Sequence, residues 1–291
     1  MSSDEKLLTA NGVELCTETF GEPGDPAVLL IHGAAHSMVN WPEALCRRLA
    51  DGPRFVIRYD GRDTGRSTTS EAGAPAYTLR DLVDDAAGLI DALGLAAVHV
   101  VGMSQGAAVG QLLALDHPQR VATLTLASGT PGGPGHHHPD LPAPAPEIQA
   151  LFEAEPAPVD WSDRAAAVDA IVEGERPYAA RTAPFDEAAV RESAALTFDR
   201  AADLAAQMTN PFLLDAGEPW RDRLPHISAP TLVLHGTEDP MFPFGHGEAL
   251  ADAIPGARLL PMERTGHEIA PPRVWDEVVA AVLAHTADRT A

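Results

Sequence analysis

Basic residues are scarce in this chain: 20 Lys and Arg stand against 42 Asp and Glu, a formal net charge of −22. Such a surplus repels a phosphate backbone instead of releasing its counterions, so nucleic acid is not an expected partner. Cysteine is nearly absent. Cys16 and Cys46 lack CxxC spacing and fall in segments that read as a strand and a helix, which points to buried free thiols and away from a disulfide or thiolate metal site. No apolar run approaches the ~18–20 residues of a membrane span. The first six residues are acidic, without the basic and apolar regions of a secretion signal, so a cytoplasmic protein without membrane partners is expected. No internal repeat is visible.

What is present is a pattern of alternation. Short β-branched runs at Ala27–Ile31, Phe55–Tyr59, Val98–Val101 and Val121–Leu126 are separated by helical stretches near 42–50, 79–93 and 105–115. That order predicts an α/β fold, a mostly parallel sheet flanked by helices, with Glu14–Phe20 adding antiparallel strands at one edge. From residue 130 the alternation stops. A Pro-, Gly- and His-rich stretch is followed by helix-like segments broken by Pro156, Pro158, Pro177 and Pro184, and strand character returns only at Thr231–His235. A further helix near 247–253, a strand at 257–260 and a last helix near 274–285 complete the chain. The expected division is a sheet domain of residues 1–129 and 227–291 carrying a helical lid, 130–226.

Chemistry gathers at Gly102-Met103-Ser104-Gln105-Gly106, between an apolar strand and a helix. There a GxSxG turn exposes a strained serine, while the flanking glycines let strand and helix approach closely. A serine hydroxyl needs a base, and His267, in the loop between the last strand and the last helix, is the candidate. Its other nitrogen needs an acid. Asp239, after strand 231–235 and directly before Pro240, is favoured by motif position over its neighbour Glu238. The helix start aims the backbone N–H of Gln105 at an oxyanion formed on Ser104. A second donor is expected from Ala34, in the His32-Gly33-Ala34 loop after the first parallel strand. His32 itself reads as a structural residue that bonds loop backbone.

Other groups read as structure. Asp60, Arg62, Asp63 and Arg66 form a charged loop whose members are expected to brace one another as ion pairs. His136–His138 has the composition of a metal tract, but consecutive side chains diverge, so neither metal nor cofactor is expected. Trp161, Tyr178, Phe185, Phe198, Phe212 and Trp220 are candidates to line a pocket between lid and sheet, about half of them merely packing the lid.

Over nearly its whole length the chain resembles the α/β-hydrolase superfamily, in which the triad follows the order Ser, Asp, His. Within it the chain is similar to the aclacinomycin methylesterases of anthracycline biosynthesis. The closer match is carried by Arg58–Thr68, Ala114–His117, Ile254–Leu259 and Val282–Thr286. The elbow here is Gly-Met-Ser-Gln-Gly where that family carries Gly-Leu-Ser-Met-Gly, and this lid is shorter. The resemblance implies hydrolysis of the methyl ester of a bulky, glycosylated aromatic polyketide through Ser104, Asp239 and His267, with Ala34 and Gln105 supplying backbone donors. A dehalogenase or epoxide hydrolase would need a carboxylate at position 104. A small-ester esterase, thioesterase, lactonase or peptidase of the same fold stays open, as does a receptor that binds its ligand without turnover.

Overall fold

The computed structural model describes residues 5–133, 138–154 and 157–287. His136 and His137 therefore lie outside the described residues. Eight strands form one sheet: β1 (Lys6–Ala10), β2 (Val13–Phe20), β3 (Ala27–Ile31), β4 (Phe55–Tyr59), β5 (Val98–Met103), β6 (Val121–Ala127), β7 (Thr231–Gly236) and β8 (Arg258–Met262), in the order β1-β2-β4-β3-β5-β6-β7-β8. β2 pairs antiparallel with β1 and β4, and every other pairing is parallel. The central strands β3, β4, β5 and β7 are buried at every position, which is why they read as mostly apolar runs interrupted only by Arg58, His99, Thr231 and His235.

Alternate residues of these strands feed two apolar layers. Leu29, Ile31, Val100 and Leu126 pack with helices α2 (Leu79–Ala92), α3 (Gln105–Asp116) and the later α8 (Gly245–Ala253). Val28, Leu30, Val101 and Leu234 pack with α1 (Glu43–Asp51) and the C-terminal α9 (Trp275–Thr286). Helices on both faces leave only the strand ends open, so loops at their carboxyl ends are where a site can form.

Between β6 and β7 lie α4 (Pro146–Glu153), α5 (Arg164–Glu175), α6 (Glu187–Arg200) and α7 (Leu204–Thr209), with short 3-10 turns and no strand among the described residues. α5 and α6 pack through Val168, Val172 and Ala194, helped by Phe185 and Phe198. No helix among the described residues is long and apolar enough to cross a membrane.

Polar fastenings hold the C-terminal half of this segment to the sheet domain. Arg200, at the end of α6, meets the fully buried Asp60 through Nη2 at 2.9 Å and Glu5 through Nε at 3.1 Å. Gln207 donates to the carbonyl of Ala35 at 3.0 Å and accepts from the N–H of Gly65 at 3.1 Å. Asn210 donates to Asp63 at 2.8 Å. The charged loop is held by ion pairs as expected, with partners outside the loop: Asp60 pairs with Arg200, Arg62 with Asp85, and Arg66 with Glu5, which also meets Arg200. The chain turns at Asp63, φ +62°, and sends these side chains in different directions.

Removing the guanidinium from this arrangement leaves Asp60 buried with, among the described residues, only the N–H groups of Met38 and Arg66 as donors to its carboxylate. Arg200→Leu is expected to lower unfolding stability by about 3–5 kcal/mol. Urea denaturation reads this directly, and a loss below about 1 kcal/mol would show that the backbone donors suffice.

Candidate active site

β5 ends at Met103 and α3 begins at Gln105, so the whole reversal from strand to helix falls on Ser104. Its backbone is forced to φ 53°, ψ −114°, a conformation that typically costs a non-glycine residue about 1–3 kcal/mol. Two glycines make it possible. A Cβ on Gly102 would lie 2.2 Å from the carbonyl oxygen of Gly106, and a Cβ on Gly106 would lie 2.3 Å from that of Ile31. Any other residue at either position would push α3 off the sheet.

The loops after β7 and β8 meet this serine. His267 Nε2 lies 3.0 Å from Ser104 Oγ, and His267 Nδ1 lies 2.9 Å from Asp239 Oδ2. With its proton on Nδ1, the imidazole donates to Asp239 and accepts from the serine hydroxyl. The other oxygen of Asp239 accepts from the N–H groups of Met241 and Phe242 at 2.9 and 2.8 Å, so the buried carboxylate is fixed on both sides. Glu238 points elsewhere, accepting from the exposed Thr182 N–H at 2.9 Å. His235 stands behind Asp239, its Nε2 3.7 Å from the carboxylate and 2.7 Å from the carbonyl of Phe242.

The inserted segment helps seat the imidazole. The N–H of His267 donates to the Tyr178 carbonyl at 2.8 Å, and the ring packs edge-on against Phe242 with centroids 5.3 Å apart. A Cβ on the preceding Gly266 would strike that Tyr178 carbonyl at 2.2 Å, so the contact depends on glycine.

Opposite His267, Ala34 lines the cleft and the first turn of α3 presents Gln105. Neither backbone N–H meets a protein acceptor among the described residues. The next residue, Ala35, has φ 60°, and Gln207 holds its carbonyl. The side chain of Gln105 donates to the Pro211 carbonyl at 3.0 Å, so both candidate donor loops are tied to residues 207–211. His32 accepts from the N–H of Gly61 at 3.0 Å and donates from Nδ1 to the Gly33 carbonyl at 2.8 Å. Burial lowers its pKa to about 4, so it is a neutral brace of the loop.

A cavity of about 240 Å³ opens over Ser104, walled mainly by Met103, Leu151, Phe152, Ile171, Met208 and Met241. Tyr178 and Phe212 line it as well. Trp161, Phe185 and Trp220 do not. Trp220 is 0% exposed, packed in the apolar layer with α3 and donating to Gln111 at 3.1 Å. Phe185 lies between α5 and α6 under the guanidinium of Arg176, and Trp161 occupies the turn before α5. For Trp220 and Phe185 the cause is shared, since a large ring is buried best where helices pack on each other or on the sheet, whereas Trp161 lies outside the lining of the cavity. The lining residues missed include His36, Glu175, Met208 and Met241, together with Gln207 behind them, and no motif marks these; Met103 lies inside the GxSxG motif, but the motif does not mark it as lining.

A family model for the alpha/beta hydrolase fold matches residues 26–272. The chain belongs to the α/β-hydrolase family. It is similar to two rhodomycin D methylesterases, that of Streptomyces sp. (strain C5) at 33% identity and that of Streptomyces peucetius at 31%, each alignment covering 97% of both chains. Among solved structures it is similar to a hydrolase from Pseudomonas aeruginosa PA01, with a TM-score of 0.73 and 26% identity, covering 99% of this chain and 100% of the other.

This α/β hydrolase carries a second neutral buried histidine, His99, which burial also lowers to about 4. Unfolding releases both to the ordinary value of 6.5, so below that pH the unfolded chain binds protons that the folded chain refuses. Stability is expected to fall as pH drops from about 6.5 to about 4, by roughly 1.4 kcal/mol per pH unit for each histidine. Urea midpoints at several pH values check this, and equal midpoints at pH ~7.5 and ~5 would contradict it.

Proposed function

We propose that the chain is a serine hydrolase of carboxylic esters, with Ser104 as nucleophile, His267 as general base and Asp239 as the acid that orients it. The observation that carries this reading is the unbroken series from Asp239 Oδ2 through His267 to Ser104 Oγ, with separations of 2.9 and 3.0 Å. As Ser104 Oγ attacks the ester carbonyl, its proton passes to His267 Nε2. The carbonyl oxygen becomes an oxyanion facing the backbone N–H groups of Ala34 and Gln105, where each donor is worth about 10²- to 10³-fold in rate. Collapse breaks the bond to the alcohol, which leaves with the proton from His267, and an acyl-enzyme remains. Water, deprotonated by the same imidazole, attacks this ester, and the acid departs as the serine regains its proton.

The cavity and the relatives support a substrate class. A chamber walled by methionine, leucine, isoleucine and phenylalanine favours a bulky apolar acyl group, and Phe212, 59% exposed, extends that surface to the mouth. Since relatives at 31–33% identity are named rhodomycin D methylesterases, the reading is a methylesterase of an anthracycline-like aromatic polyketide. In this reading residues 130–226 serve as the lid, its C-terminal half pinned by Arg200, Gln207 and Asn210.

The test is acid and methanol release from an anthracycline methyl ester alongside a panel of small esters. Ser104→Ala is expected to lower kcat by about 10³-fold or more. Retained turnover in that variant would remove the serine mechanism. Preference for the small esters would leave a general esterase, and a single acylation without product release would leave a ligand receptor.

A further inference from the structure

A second cavity, of about 100 Å³, lies beside the one over Ser104. The two adjoin along Ala35, His36, Ile171, Glu175 and Met208, which line both. Past these residues the character changes, for Asn40, Ser193 and Thr197 line the smaller chamber with an amide and two hydroxyls. Among the described residues Glu175 is the only acid lining either cavity, and no Lys or Arg lines them.

We propose that the chamber behind the His36–Glu175 pair is a substrate subsite for a protonated amine carried on the acyl group, away from the scissile ester. The proposal rests on the ester-hydrolase reading above and adds the chemistry of one substituent. His36 Nε2 meets only Oε1 of Glu175, at 3.1 Å, and Oε2 has no partner among the described residues. The carboxylate also ends α5, where the unpaired carbonyls of the helix terminus carry partial negative charge and favour a cation. Its neighbour Arg176 does not neutralise it, being engaged with Glu173 and Glu187 and stacked on Phe185. Burial pushes the Glu175 carboxyl up, but His36 and His267 together bring it below its ordinary value, so it stays ionised. An ammonium group entering the chamber takes Oε2 as its counter-ion and donates its remaining hydrogens to the oxygens of Ser193 and Thr197.

The experiment uses matched aromatic methyl esters that differ in one substituent, a primary amine in one and a hydroxyl in its twin. Wild-type protein is expected to show a KM at least about 10-fold lower for the amine ester, and Glu175→Gln, which keeps an oxygen for His36, to bring the KM ratio of the pair close to one. Ser193→Leu, which fills the chamber without touching the carboxylate, is expected to shrink the same ratio and decides the matter if Glu175→Gln does not fold. Calorimetric binding of both esters to the Ser104→Ala protein reads the subsite without turnover. Hydrolysis without an amine preference, or a ratio unchanged in both variants, overturns the subsite. An amine preference in binding without hydrolysis by the wild type overturns the esterase reading and leaves the subsite standing.

Discussion

Everything at the cleft depends on how closely α3 approaches the sheet. The helix can start one residue after β5 only because Gly102 and Gly106 leave room for backbone carbonyls that any side chain would displace. That approach holds Ser104 in an unfavourable backbone conformation, φ 53°, lifts its hydroxyl above the strand ends and points the first turn of α3 at the same spot. The strain is small beside the burial that sustains it, since β5 and most of α3 are enclosed on all sides. In the proposed mechanism the tight turn supplies both the nucleophile and one donor for the oxyanion.

The segment between β6 and β7 does more than cover this cleft. The Tyr178 carbonyl holds the backbone of His267, Gln207 holds Ala35, and Arg200 holds Asp60, which in turn accepts from Met38 in the loop after β3. The two loops that face each other across Ser104 are therefore positioned partly by residues far from them in the chain. α4, which brings the exposed Leu151 and Phe152 to the cavity, is fixed more lightly, its only buried residue being Ile148. A cleft framed in this way combines a rigid set of polar atoms with an adaptable apolar mouth.

The sheet and the polar series were legible because both leave local marks. A strand buried on both faces is mostly apolar, and β3 and β4 begin and end where the runs Ala27–Ile31 and Phe55–Tyr59 do, with the one charge, Arg58, paired to Glu18. Asp239 and His267 each follow a strand, which limits where their side chains can go. The pocket left no such mark. Trp220 and Phe212 are both large and apolar, yet one is sealed against α3 and the other lies at the cavity mouth. Likewise, Glu175 ends an ordinary helix with nothing nearby in sequence to set it apart from Glu173, which is exposed and paired with Arg176.

Short-range sterics and periodicity made legible in the residue order the succession of strands and helices, the sharp turn at Ser104, and the placing of an acid and an imidazole after β7 and β8. Tertiary packing alone settled which aromatics face the cavity, that the charged loop pairs outward to Arg200, Asp85 and Glu5, and that Glu175 lines both chambers. The reason is physical. A backbone conformation is set within a few residues, whereas the surroundings of a side chain on an inserted helix depend on how that helix docks on groups more than a hundred residues away.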